Sequence, residues 1–149
     1  MSHSPQQIIN TAESFYLAAD RSSEQRPLAP GSFQMLIVPT VVCRAFAIEL
    51  YFKGIITLEG GTAKGHDLAT LFGRLSQASQ ERIRADLSMS SSELAQKIAQ
   101  VSTAFVDWRY IYESQSATVD ANFLYVIAFS AKSRAAALLA NLATNSSPS

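Results

Sequence analysis

Between Leu94 and Tyr112 the large apolar residues return at alternating steps of four and three: Leu94, Ile98, Val101, Phe105, Trp108 and Tyr112. That spacing gathers all six on one stripe of an α-helix, the seam of a helix packed lengthwise along a partner. Other segments repeat the pattern. Near the start, Ser4 can cap a helix, Pro5 suits its first position and Gln7 can reach back; Ile8, Ala12, Phe15, Tyr16 and Ala19 then share a face. The stretch "RSSEQRPLAPGS" reads as a loop. A second helix begins near Ser32 or Pro39, the earlier start implying a kink at Pro39, and stops at "EGG". A third opens at "GHDL" with Asp67 as N-cap, carries the stripe Leu68, Leu71, Phe72 and Leu75, and runs on to Arg82 and Arg84. Ser90 and Glu93 have capping-box spacing at the head of the fourth. The last runs from about Val119 to Leu142, with Phe123, Ile127, Ala131, Leu138 and Leu142 on its buried side. Strand-like alternation is absent. The expected fold is all-α, an up-and-down bundle of four to five helices in a single domain, 1–149, with short loose ends.

Composition narrows the function classes. With 149 residues and 48% of them apolar, the chain has enough material for one globular core. Lys plus Arg number 12, as do Asp plus Glu, so no bulk charge favours non-specific nucleic-acid binding; a local basic patch is still allowed. A single cysteine, Cys43, excludes an intrachain disulfide framework and fits a reducing compartment. The opening "MSHSPQQIIN" has neither the basic start nor the apolar core of a signal peptide. The most apolar region, Phe33 to Leu58, is broken by Pro39, Arg44, Glu49 and Lys53, which argues against a membrane span. The expectation is a soluble, cytoplasmic protein.

Several residues are candidates for chemistry. Arg109 sits among aromatics in "FVDWRYIYESQS", one residue past the seam at Trp108, and two readings stand side by side. Either it forms a surface pair with Glu113, worth about 0.3–0.5 kcal/mol, or it faces a groove and holds a phosphate. Glu49 and Lys53 have the spacing of a helical ion pair, yet they interrupt an apolar helix and can line a groove. Tyr112 lies on the seam, as core or as a stacking surface. His66 precedes the Asp67 cap, either ordering the loop or supplying a proton acceptor. Cys43 has no base partner, Gly60 and Gly61 read as a helix stop, and two distant histidines with one cysteine make no metal site. No cofactor is expected.

Taken in order, "AFAIELYFKGIITLEG", "GHDLATLF" and "FVDWRYIYE" resemble the HEPN superfamily (higher eukaryotes and prokaryotes nucleotide-binding domain), over about residues 41 to 140. The resemblance implies a bundle of four or five helices that pairs into a homodimer. Many HEPN proteins are metal-independent ribonucleases of toxin–antitoxin and antiviral systems. Their hallmark is an arginine followed, a little over one turn later, by a histidine; two such pairs share a cleft in the dimer. Here the arginine position is matched by Arg109, followed by Tyr110, while Ser114, Gln115 and Ser116 stand where the histidine would fall. Serine and glutamine cannot replace a general base of pKa about 6.5. The resemblance therefore implies a non-catalytic, dimerising module that binds a protein, RNA or a nucleotide. The alternative is a ribonuclease with a non-standard site built on Arg109 and His66.

Overall fold

Helices carry the architecture of the computed structural model, which describes residues 3–34, 36–102, 104–110 and 119–145, with only the backbone at Phe33 and Phe105. They are α1 (Pro5–Ser22), α2 (Ile37–Leu58), α3 (Leu68–Gly73), α4 (Gln77–Leu87), α5 (Ser91–Val101), α6 (Ala104–Arg109) and α7 (Ala121–Asn145). The central one is α2. It is apolar nearly all round, burying Val41, Ala45, Ile48, Tyr51, Phe52 and Ile55 among others, which is the composition of a core helix. The helices α1, α3, α6 and α7 pack against it, while α4 lies on α7 and α5 on α3. Ile9, Ala12, Tyr16 and Ala19 form the inner face of α1.

At Gly54 the α2 backbone comes close to Ile9 of α1. A Cβ built there would lie 2.6 Å from Cγ1 of Ile9, so only a hydrogen fits. Charge also ties the helices together. Glu13 accepts from the Tyr51 hydroxyl at 2.6 Å and from Lys132 Nζ at 2.5 Å, joining α1, α2 and α7. Arg44 pairs with Asp20 at 2.9 Å and lies 5.1 Å over the Tyr125 ring. Glu59, just past α2, accepts from the Ser76 amide at 2.8 Å, from Ser79 Oγ at 2.6 Å and from Ser76 Oγ. Arg134 Nε in turn donates to Ser79 Oγ at 2.9 Å. Burial alone would raise the pKa of Glu13 and Glu59; the donors outweigh it and hold both carboxyls below their ordinary value. Tyr51 is pushed well up, by burial first and then by Glu13.

The expected all-α character stands, with corrections of detail. Residues read as a loop form a small antiparallel hairpin, β1 (Arg26–Ala29) with β2 (Ser32–Gln34), paired Arg26 to Gln34. Gly31, at φ 77°, makes its turn possible. The start of α2 at Ile37 precedes Pro39 without needing a kink, because first-turn amides have no helical acceptor to lose. The expected third helix is two, α3 and α4, because Ser76 caps a fresh start by accepting from the Ser79 amide at 3.1 Å. The expected fourth is also two, α5 and α6, because Ser102 is drawn off to the head of α3. Leu142 is exposed; the last buried residue of α7 is Ala135. Ser4 precedes α1 without a side-chain capping bond. Among the described residues one helix, α7, is long and apolar enough to cross a membrane, at mean hydropathy 1.4, and its inner face packs on α2 and α4.

Two predictions follow from this packing. Gly54→Val should lower stability by about 1–3 kcal/mol, the cost of overpacking, in denaturant unfolding. Depressed carboxyl pKa values stabilise the fold above the ordinary glutamate value of about 4.3 and stop doing so as pH falls through the folded values. Thermal melts should therefore fall steeply below about pH 4.3, and Glu59→Gln should flatten that fall while lowering the melting temperature at neutral pH.

Candidate anion-binding groove

Halfway along α2 the Glu49 side chain is 1% exposed, an expensive place for a carboxylate. Two neighbours answer it. Lys53, one turn on, places Nζ 3.2 Å from Oε2. His66 places Nδ1 3.2 Å from both carboxylate oxygens. The lysine comes from helical spacing. The histidine is delivered by the segment from Glu59 to Asp67, whose shape has local causes. Gly60 and Gly65 take φ of 82° and 92°, and the Gly61 amide closes α2 on the Ile56 carbonyl at 2.9 Å. Asp67 then caps α3 by accepting from the Ala69 amide at 3.0 Å, as the sequence predicts, and also accepts from Ser102 Oγ. Arg74 Nη1 fastens the loop by donating to the Lys64 carbonyl at 2.6 Å.

An open groove of about 530 Å³ runs beside this cluster, lined by Ile8, Leu50, Lys53, Thr57, Thr62 and Lys64 among others. A second, of about 360 Å³, is lined by Ile56, Gly61, Thr62, Lys64 and Arg74. Lys64 belongs to both. Lys53, Lys64 and Arg74 thus line the pair, and no carboxylate does. The acids of the region are occupied: Glu49 is buried, Glu59 is held by two serines, and Asp67 caps a helix. Even with Glu49 counted against Lys53, an excess of positive charge faces solvent. Such a surface draws anions, and ammonium and guanidinium groups make strong charge-assisted hydrogen bonds to phosphate oxygens.

The Glu49–His66 contact has chemistry of its own. With Nδ1 bound to the carboxylate, Nε2 is the nitrogen left for another partner, on a side chain that is 69% exposed. A carboxylate that orients an imidazole in this way is the arrangement of a positioned general base.

Of the candidates from the sequence, Glu49, Lys53 and His66 come together here. Arg109 closes α6 on the exposed surface, its guanidinium 4.8 Å from the Tyr110 ring centroid and Nη2 3.2 Å from the Tyr110 hydroxyl. Tyr112 and Glu113 lie outside the described residues, as do Ser114, Gln115 and Ser116. Arg82 pairs with Asp86 at 3.3 Å, and Arg84 with Glu81 at 2.9 Å. Cys43 is half-buried, with burial pushing its thiol pKa up. No cluster of three or more His, Cys, Asp or Glu able to hold a metal occurs among the described residues. Sequence reasoning missed Lys64 and Arg74; the signal was a short, glycine-rich run, "GGTAKGH", with a cation inside it. Comparison with protein-family models, with curated proteins and with solved structures gives no match.

Lys53→Met should destabilise the fold more than His66→Ala. The lysine is 18% exposed and answers a buried charge, whereas water can replace the exposed imidazole. About 1–3 kcal/mol for the lysine change, and under about 1 kcal/mol for the histidine, are the differences expected in chemical denaturation.

Proposed function

We propose that the chain is a HEPN-like helical module that dimerises and binds RNA or a nucleotide without cleaving it efficiently. A toxin–antitoxin or antiviral setting in the cytoplasm fits that reading. The observation that carries it is the groove with Lys53, Lys64 and Arg74 on its walls and no carboxylate among its lining residues, the buried Glu49 being set against Lys53 alone of the three. The ligand class follows from the donors: ammonium and guanidinium groups suit phosphate oxygens, while Thr62 adds a hydroxyl of the kind that bonds phosphate or sugar. Absence of a histidine in the turns after Arg109 supports the lack of efficient cleavage, since general acid–base help is commonly worth about 10²–10⁴-fold.

A second reading is favoured by one observation, the Glu49-oriented imidazole of His66. On that reading the chain is a metal-independent ribonuclease with His66 as the proton acceptor and Arg109 at the phosphate.

Fluorescence anisotropy with single-stranded RNA and with mononucleotides tests the first reading. Lys64→Glu, on an exposed side chain with no structural duty, should weaken binding about tenfold, a loss of about 1.4 kcal/mol. Affinity should fall with added salt. Binding that ignores Lys64→Glu would remove the groove from the account. A chelator-containing cleavage assay separates the readings: robust cleavage by the wild type, abolished by both His66→Ala and Arg109→Ala, would establish the second.

A further inference from the structure

Glu49 serves two neighbours at once. Its Oε2 lies 3.2 Å from Lys53 Nζ and 3.2 Å from His66 Nδ1. The carboxylate is buried, whereas the imidazole is largely exposed and open to protons from solvent. Lys53 also lines the larger groove, as does Lys64, two residues before His66. While His66 is neutral, the opposite charges of Glu49 and Lys53 cancel. A proton on His66 gives the same buried carboxylate a second cation, and one positive charge is then left over beside the groove. We propose that protonation of His66 is a switch on this groove: it takes over part of the Glu49 charge, frees the charge of Lys53 for the groove, and strengthens phosphate binding as pH falls from about 8 to about 5.5.

The surrounding charges leave this role to His66. On α2 the groups beside it are Glu49 and Lys53. At the head of α3, Asp67 is engaged by the Ala69 amide and Ser102 Oγ; past its end, Arg74 donates to the Lys64 carbonyl. The acids of α1, Glu13 and Asp20, are turned to Lys132 and Arg44. On α6, which also packs on α2, Asp107 and Arg109 are exposed. Histidine is the side chain whose ordinary charge change falls between about pH 5 and 8. The chain has two, and the other, His3, lines the same groove. No carboxylate lines that groove, so a proton on His3 adds charge to the wall directly, without passing through Glu49. Substitution therefore separates the two histidines.

This inference rests on the phosphate-binding reading and adds its regulation. The test is fluorescence anisotropy on the whole chain, at fixed ionic strength. The probe is a short oligouridylate without terminal phosphates, whose bases and phosphodiesters keep their charge over this range. The wild type should bind about three- to tenfold more tightly at about pH 5.5 than at about pH 8, the effect of one unit charge a few ångströms from a phosphate. His66→Gln keeps a donor for Glu49 and cannot gain a charge. It should bind like the wild type at the higher pH and no better at the lower. His3→Gln should keep most of the pH dependence. Circular dichroism at each pH checks that one helical fold is being compared. Equal wild-type affinity at both pH values would overturn the switch and leave the binding reading standing. A dependence that survives His66→Gln and vanishes in His3→Gln would also overturn it, by moving the proton to the groove wall. No binding at either pH would overturn the binding reading, and the switch with it.

Discussion

Helix α2 is surrounded by protein along most of its length, so each charge it carries must be met by a neighbour or expelled. Arg44 and Glu49 are the severe cases, both nearly inaccessible to water. Their partners come from different parts of the chain: Asp20 on α1 and Tyr125 on α7 for the arginine, Lys53 on α2 itself and His66 on the following loop for the glutamate. Glu59, at the helix end, extends the same logic to α4 through Ser76 and Ser79. An apolar stripe alone lets helices slide and rotate past one another at small cost. Buried charged groups with specific partners do not, because a misplaced register leaves a buried charge unanswered. The polar ties therefore set how the bundle is aligned, and the apolar contacts supply most of the free energy that holds it.

That division explains how much of the fold could be read in advance. Capping is local, and Asp67 and Ser90 do at the heads of α3 and α5 what their spacing announces. The apolar stripes are local too, and they locate α1, α5 and α7, although Ile9 rather than Ile8 is the buried isoleucine of α1 and Leu142 of α7 is exposed. The breaks between α3 and α4, and between α5 and α6, are not local. Ser76 and Ser102 look like tolerable helix residues in sequence. At each break a distant group takes up the serine's atoms: Glu59 takes the Ser76 amide and hydroxyl, and the amides of Leu68 and Ala69 take the Ser102 carbonyl and hydroxyl. Both signals are long-range hydrogen bonds, which periodicity cannot register. The hairpin was hidden for another reason. Its prolines and glycine argue for a turn, and its short strands carry no inward face to reveal them; β1 is exposed throughout.

The candidate site divides in the same way. Glu49 and Lys53 were visible as a pair because four residues is the helical repeat. That His66 would close the other side of the same carboxylate required knowing that the loop folds back over α2. Lys64 and Arg74 were invisible as a pair, since the contact between them is a backbone carbonyl and a guanidinium ten residues apart. Arg109 stood out by its aromatic surroundings and its place beside the seam, and its described neighbour is Tyr110.

Ser102 has one more consequence. Helix α3 is six residues long, far below the length at which a helix holds itself together in water. Besides its own cap Asp67, the amides of Leu68 and Ala69 are met by the carbonyl and hydroxyl of Ser102, at a place that exists only once α5 has ended there. The short helix thus has no independent existence. It is completed from outside, by the end of another, and the two form or melt as one cooperative unit rather than as neighbours that happen to touch. The loop that carries His66 is anchored directly to that unit through Asp67, so its geometry is as durable as the bundle and does not depend on the loop's own weak preferences.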